Sequence, residues 1–255
     1  MRWTAAIWLL ALAPTGALAN DAEGSPSPPA TAEVPVAEPA AVEEWWAGHQ
    51  VVFGTRKVPI LGSLDTRTDS FLLARVVREG DELLLEQRSC RFEIAKVAGV
   101  RVSFREGATF PPATIRFQRT GDRFVAQPWS TTWSDEDIDG DGRPGATVEV
   151  DAPICGGSLF VGASSRSLAR GEERDGALRG EVRVEVAQQI LGTSGSCLEM
   201  MARDSTERVS GSFAYKRVPP GTTCESLLQA AWPVQADEPR RRAAPAPERR
   251  RIHLR

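Results

Sequence analysis

The chain has 255 residues, a formal net charge of −3, two histidines and four cysteines. That length suffices for one domain with its own core. The absence of any C-x-x-C pair, with only His49 and His253 as imidazole donors, argues against a zinc centre, and no Walker-type or dinucleotide-binding glycine motif occurs.

Taken in chain order, the first feature is a leader. Arg2 gives a positive start, Ala5–Ala13 is an apolar run too short to span a bilayer, and Ala17-Leu18-Ala19 supplies the small residues of a cleavage site. Residues 1–19 are therefore expected to be a signal peptide, with Asn20 as the mature N-terminus and a secreted or periplasmic destination. Loss of Arg2 takes the mature charge to −4. Residues 20–44 hold six acids and no base among Pro, Ala and Ser. Such a segment cannot bury enough apolar surface to order itself and is expected to be an extended linker.

Residues 45–232 are expected to form a single β domain. Trp45-Trp46-x-Gly48 resembles the opening strand of lipocalin-like barrels, where a Gly and a Trp close one end, with the order changed from that family's Gly-x-Trp. The resemblance implies a barrel. Apolar residues then alternate with polar ones at Val100–Phe104, Ile115–Phe117 and Val182–Val186, and Val209, Gly211, Phe213 and Tyr215 share one parity, the period of a strand with one wet face. Turn signals fall at Glu79-Gly80-Asp81, Gly121-Asp122 and Asp175-Gly176. Helix signals are confined to Ala187–Leu191, Leu198–Arg203 and Ser226–Ala231, the first two of which also fit strands. The fold class expected is all-β, an antiparallel barrel or sandwich with one or two short helices.

The most specific local feature is SDEDIDGDGRPGATVEVD at 134–151. Asp137, Asp139 and Asp141 stand two apart, with Gly140 and Gly142 between and after them. Three carboxylates gathered in one loop repel one another unless a cation joins them. Hard oxygen ligands and tightly turning glycines suit Ca²⁺. The carbonyl of Arg143 is expected to add a ligand, and Glu149, Asp135, Asp151 or water the remainder. Residues 137–145 resemble the calcium loops of thrombospondin type 3 repeats, dockerins and FG-GAP repeats. The chain departs from an EF-hand at position nine, Gly145, and at position twelve, Val148, where a bidentate Glu would stand. The following Ala146–Val150 reads as a strand, so a calcium-clipped β-loop is expected.

Four cysteines in an exported chain favour two disulfides. The pairing taken here is Cys90 with Cys155 and Cys197 with Cys224. His49 is the only imidazole in the folded region, and no G-x-S-x-G occurs, so nothing identifies a catalytic nucleophile. Residues 233–255 carry seven arginines against three acids and are expected to be a disordered basic tail, without the interleaved aromatics of a nucleic-acid surface. The reading is an exported, non-enzymatic calcium-binding β-protein with a structural or binding role at the cell envelope. A lipocalin-like carrier of an apolar small molecule and a carboxylate- or calcium-dependent hydrolase are the alternatives.

Overall fold

The computed structural model describes residues 42–58 and 62–238. The expected signal peptide, the expected linker up to residue 41 and the expected tail beyond Glu238 lie outside the described residues. The elements are β1 (Val42–Val58), β2 (Gly62–Glu79), β3 (Glu82–Ile94), β4 (Arg101–Phe104), β5 (Ala113–Thr120), β6 (Arg123–Ala126) and β7 (Trp129–Trp133), then β8 (Ala146–Asp151), β9 (Gly157–Arg174), β10 (Ala177–Thr193), α1 (Ser196–Met201), β11 (Ser205–Val218) and α2 (Cys224–Gln229). The all-β expectation holds. Ala187–Leu191 lies in β10 rather than in a helix, and the two short helices fall close to the other two helix signals. No helix among the described residues is long and apolar enough to cross a membrane.

All the strand pairs are antiparallel. The order β10-β11-β1-β2-β3-β5-β6-β9 closes on itself through β9–β10, making a ring of eight strands, while β8 and β7 pair with β9 and β4 pairs with β8. A two-residue hairpin joins β9 to β10 at Asp175-Gly176, where both residues have positive φ (52° and 70°). That backbone twist matches the twist of the strands it connects, and Asp-Gly adopts it at low cost. One face of every ring strand points inward. Trp46, Leu72, Leu83, Ile115, Phe124, Ala169, Leu178 and Phe213, one from each ring strand, belong to a single apolar cluster. This interior is occupied by side chains where a carrier would hold its ligand.

The outer face of β1 is covered as well. Leu227 of α2 packs on Ala47 and Leu73, with Trp45 and Trp232 beside it. Val234 and Ala236 pack on Val51 and Ala214. The indole Nε1 of Trp232 donates to the Gly48 carbonyl (3.1 Å). Among the described residues β1 begins at Val42 and the chain stays packed to Ala236, past the Trp45 and Trp232 limits set by composition. Two small apolar side chains in a polar stretch were enough to dock it.

The disulfides differ from the expected pairing: Cys90 joins Cys224 and Cys155 joins Cys197. Cys90 sits where the β2–β3 register slips, Phe71 facing Arg91 but Leu72 facing Ser89. This bulge leaves Cys90 facing α2 on the outer side of the sheet, far from the 152–156 loop that carries Cys155. Thr223 caps α2 with a reciprocal Thr223–Ser226 capping box and sets Cys224 at its first turn. Loop-closure entropy assigns about 5 kcal/mol to a cross-link spanning 134 residues.

Candidate metal centre

Strand β9 is the scaffold of the acidic loop. Along one edge it pairs in turn with β8 (Gly157–Val161), β7 (Ala163–Ser167) and β6 (Arg170–Gly171). Residues 134–145 therefore leave β7 at Trp133 and must return one step along the same edge to begin β8 at Ala146. Gly145 makes that return possible. Its φ is +76°, and a Cβ there would lie 2.5 Å from the Val161 carbonyl oxygen, so only glycine can press the loop onto β9. Trp133 anchors the other end, donating from Nε1 to the Val161 carbonyl (3.2 Å) and standing edge-on to Phe110. The loop closes through Gly145 N to Glu136 O (3.0 Å) and Ile138 N to Gly145 O (3.2 Å).

Within this frame one carboxylate oxygen from each of Asp137, Asp139 and Asp141 lies within 4.8 Å of the others. The spacing of two, with glycines allowing the backbone to curl, brings the triad together as the sequence suggests. Asp137 accepts N–H donors from Gly140 (2.7 Å), Asp141 (3.2 Å) and Gly142 (2.8 Å). The Gly142 N–H is the chief cause that holds the Asp137 carboxyl below its ordinary value of 3.8, with burial opposing and the Gly140 and Asp141 amides assisting. For Asp141, burial pushes upward but is outweighed by the Thr147 hydroxyl (2.8 Å), the Arg143 amide (2.8 Å) and the Arg105 guanidinium (2.8 Å), so it too titrates below the ordinary range. Both are ionised at neutral pH.

Asp139 differs from its neighbours. Its Oδ2 accepts the Thr147 N–H (2.6 Å), whereas its Oδ1 is buried and has no hydrogen-bond partner. A buried acceptor in that state costs on the order of 1–3 kcal/mol, an expense that a cation in front of it would remove. The other expected ligands are less directly placed. Arg143 lies in the loop, its amide turned to Asp141 and its guanidinium 5.4 Å above the Phe160 ring. Glu149, on β8, accepts from the Ser158 hydroxyl (2.9 Å) and is not among the three converging acids. Asp135 accepts from Ser134, and Asp151 ends β8 opposite Arg101.

Two residues of the site escape a reading of local spacing. Thr147, 1% exposed, supplies both its amide and its hydroxyl to the triad. Arg105, from the far side of β4, reaches Asp141 because β4 pairs with β8 and the Arg105 amide bonds the Thr147 carbonyl (2.9 Å). The strand pattern of Ala146–Val150 marks Thr147 only as a strand residue. Arg105 stands 36 residues before Asp141, and no local spacing links the two. Comparison with protein-family models, curated proteins and solved structures finds no match for this chain.

Proposed function

We propose that this is an exported, non-enzymatic calcium-binding β-protein in which the 134–145 loop takes one Ca²⁺ and a structural or binding role at the cell envelope follows. The observation that carries the reading is the convergence of Asp137, Asp139 and Asp141 around a buried, unpartnered Asp139 oxygen. Ca²⁺ suits the site better than Mg²⁺. Its ligands here come from a curled loop of carboxylates and carbonyls, and Ca²⁺ accepts irregular shells of six to eight oxygens where Mg²⁺ demands a near-ideal octahedron. The two disulfides support the exported destination, since such bonds persist in oxidising compartments. Bound calcium would tie the end of β7 to the start of β8 and hold Thr147 against both. The partner is then an envelope component that meets this ordered surface. A carrier of apolar molecules is the weaker reading, given the filled ring interior.

Calorimetric titration of Ca²⁺ into the metal-stripped, oxidised full chain tests the proposal, with Asp139→Ala as the comparison. A saturable one-site isotherm lost in the variant is the expected result. No heat up to the millimolar range would reduce the triad to an acidic turn held by its own amides and Arg105.

A further inference from the structure

His49 is the only histidine among the described residues, and it is 3% exposed. It lies on the outer face of β1, beneath the segment 232–238 that follows α2. Its Nδ1 accepts the Ala236 amide N–H (2.9 Å), 187 residues along the chain. Nδ1 must therefore carry the lone pair, and the ring proton sits on Nε2. Nε2 lies 3.2 Å from Asp69 Oδ1, near enough to pair with it though not aligned as a hydrogen bond. Asp69 is already gripped by Arg67 through Nε (2.8 Å) and Nη2 (3.0 Å).

The segment above the imidazole is a strap with few other ties. Trp232 roots it at Gly48, Arg179 donates to the Gln235 carbonyl (2.9 Å), Ser212 donates to the Asp237 carbonyl, and Glu238 pairs with Arg67 (2.5 Å). The charged groups facing His49 are Asp69 and Arg67 from β2, Glu93 from β3, and Glu238 from the strap reached through Arg67; Arg91 of β3 lies over the neighbouring Phe71 ring, and Arg179 of β10 pairs with Asp237. An open groove lined by Arg67, Asp69, Glu93 and Gln235 gives solvent a path to the ring.

We infer that His49 is an acid-sensitive latch, and that its protonation releases the strap 233–238 from the outer face of β1 and β11 while Trp232 and the Cys90–Cys224 bond keep its root in place. A proton arriving at Nδ1 would face the Ala236 N–H with a second donor, and the two repel where they had bonded. The strap must then move, because the ring is fixed between Phe71 (4.9 Å between centroids) and the sheet. Release bares Val51, Phe53 and Ala214. Burial, the leading influence, keeps the imidazole below its ordinary 6.5, with Asp69 opposing, so the latch is closed at neutral pH and opens only below 6.5.

The test is a pH titration of the full chain by NMR, following the His49 ring nitrogens and the Ala236 amide, with His253→Ala to leave one imidazole. The expected result is an Nε2–H tautomer at neutral pH. The Ala236 amide should lose protection about tenfold or more with the same midpoint as His49, below 6.5, while amides of the ring strands stay protected. His49→Gln, which keeps an acceptor but cannot take the proton, should hold the strap through that range. An Ala236 amide that stays protected while His49 protonates would overturn the latch. So would an imidazole that stays neutral until the ring strands open. If the glutamine variant does not fold, the wild-type titration alone decides.

Discussion

The acidic loop and the histidine latch solve opposite problems with ionisable groups. The loop concentrates three anions near solvent and quiets them with short-range backbone donors from Gly140, Gly142 and Arg143. The latch buries one neutral ring and makes its lone pair the clasp of a distant segment. An anion that needs company can be satisfied by its own loop or by a cation. A neutral donor-acceptor ring cannot tolerate a second proton without giving up a contact. The first arrangement invites a ligand; the second responds to a change in medium.

Removing the cross-link at the strap's root separates the two most strongly. Cys90→Ala with Cys224→Ala should destabilise the chain by about 2–5 kcal/mol in denaturant unfolding and loosen α2 and the strap, yet leave calcium binding by the folded fraction intact. Loss of both together would mean that the two regions are one cooperative unit. Gly145→Ala acts from the other side. Its φ of +76° and the nearby Val161 carbonyl predict a cost of about 1–3 kcal/mol and weakened calcium binding, with strap protection unchanged.

Acid should divide the regions by pH. His49 is depressed from 6.5, so its contribution is complete above that value and is lost as pH falls towards its folded value. Asp137 and Asp141 are depressed from 3.8, so theirs is complete above 3.8 and is lost only below it. Peptide-resolved hydrogen exchange should record the strap opening first and the loop second; a single shared step would collapse the distinction. The smallest expected effect is at Arg105. Its guanidinium partly neutralises Asp141 from an exposed position, so Arg105→Gln should tighten calcium by about two- to fivefold at low salt, read by the same titration.

What could be read from the sequence follows the range of the interactions. Ile115 and Phe117 alternate with polar neighbours and face the ring interior, because period-two burial is a property of that strand alone; Phe213 and Tyr215 share the interior, but Ala214 between them is buried on the outer face. Asp175-Gly176 marks its own turn. The Asp137–Asp141 spacing marks its own convergence, since three carboxylates two residues apart stay together on one curled loop. The disulfide partners could not be read in this way, because a bulge at Cys90 and the docking of α2 decide them. Nor could Arg105 or the Ala236–His49 contact, which join residues 36 and 187 apart, or Thr147, whose place in a strand pattern does not mark the amide and hydroxyl it turns to the triad. Composition marked the stretch after Trp232 as tail, and the two small side chains that dock it, Val234 and Ala236, are too few to shift an average.

Ring closure sets the order of events when the chain emerges N-terminus first. β1 pairs with β11, Trp45 opposite Val218, so the first strand to appear waits for the last before its second edge is covered. Cys90 waits longer still, for Cys224. Meanwhile Cys155 and Cys197 become available to it in turn, and an oxidant acting at once would trap a wrong bond. Maturation therefore calls for late oxidation or a thiol–disulfide exchange that edits the early pairs. β1 and β11 meet only after every other described strand has been made, and closure of Cys90–Cys224 doubles as a check that α2 has arrived.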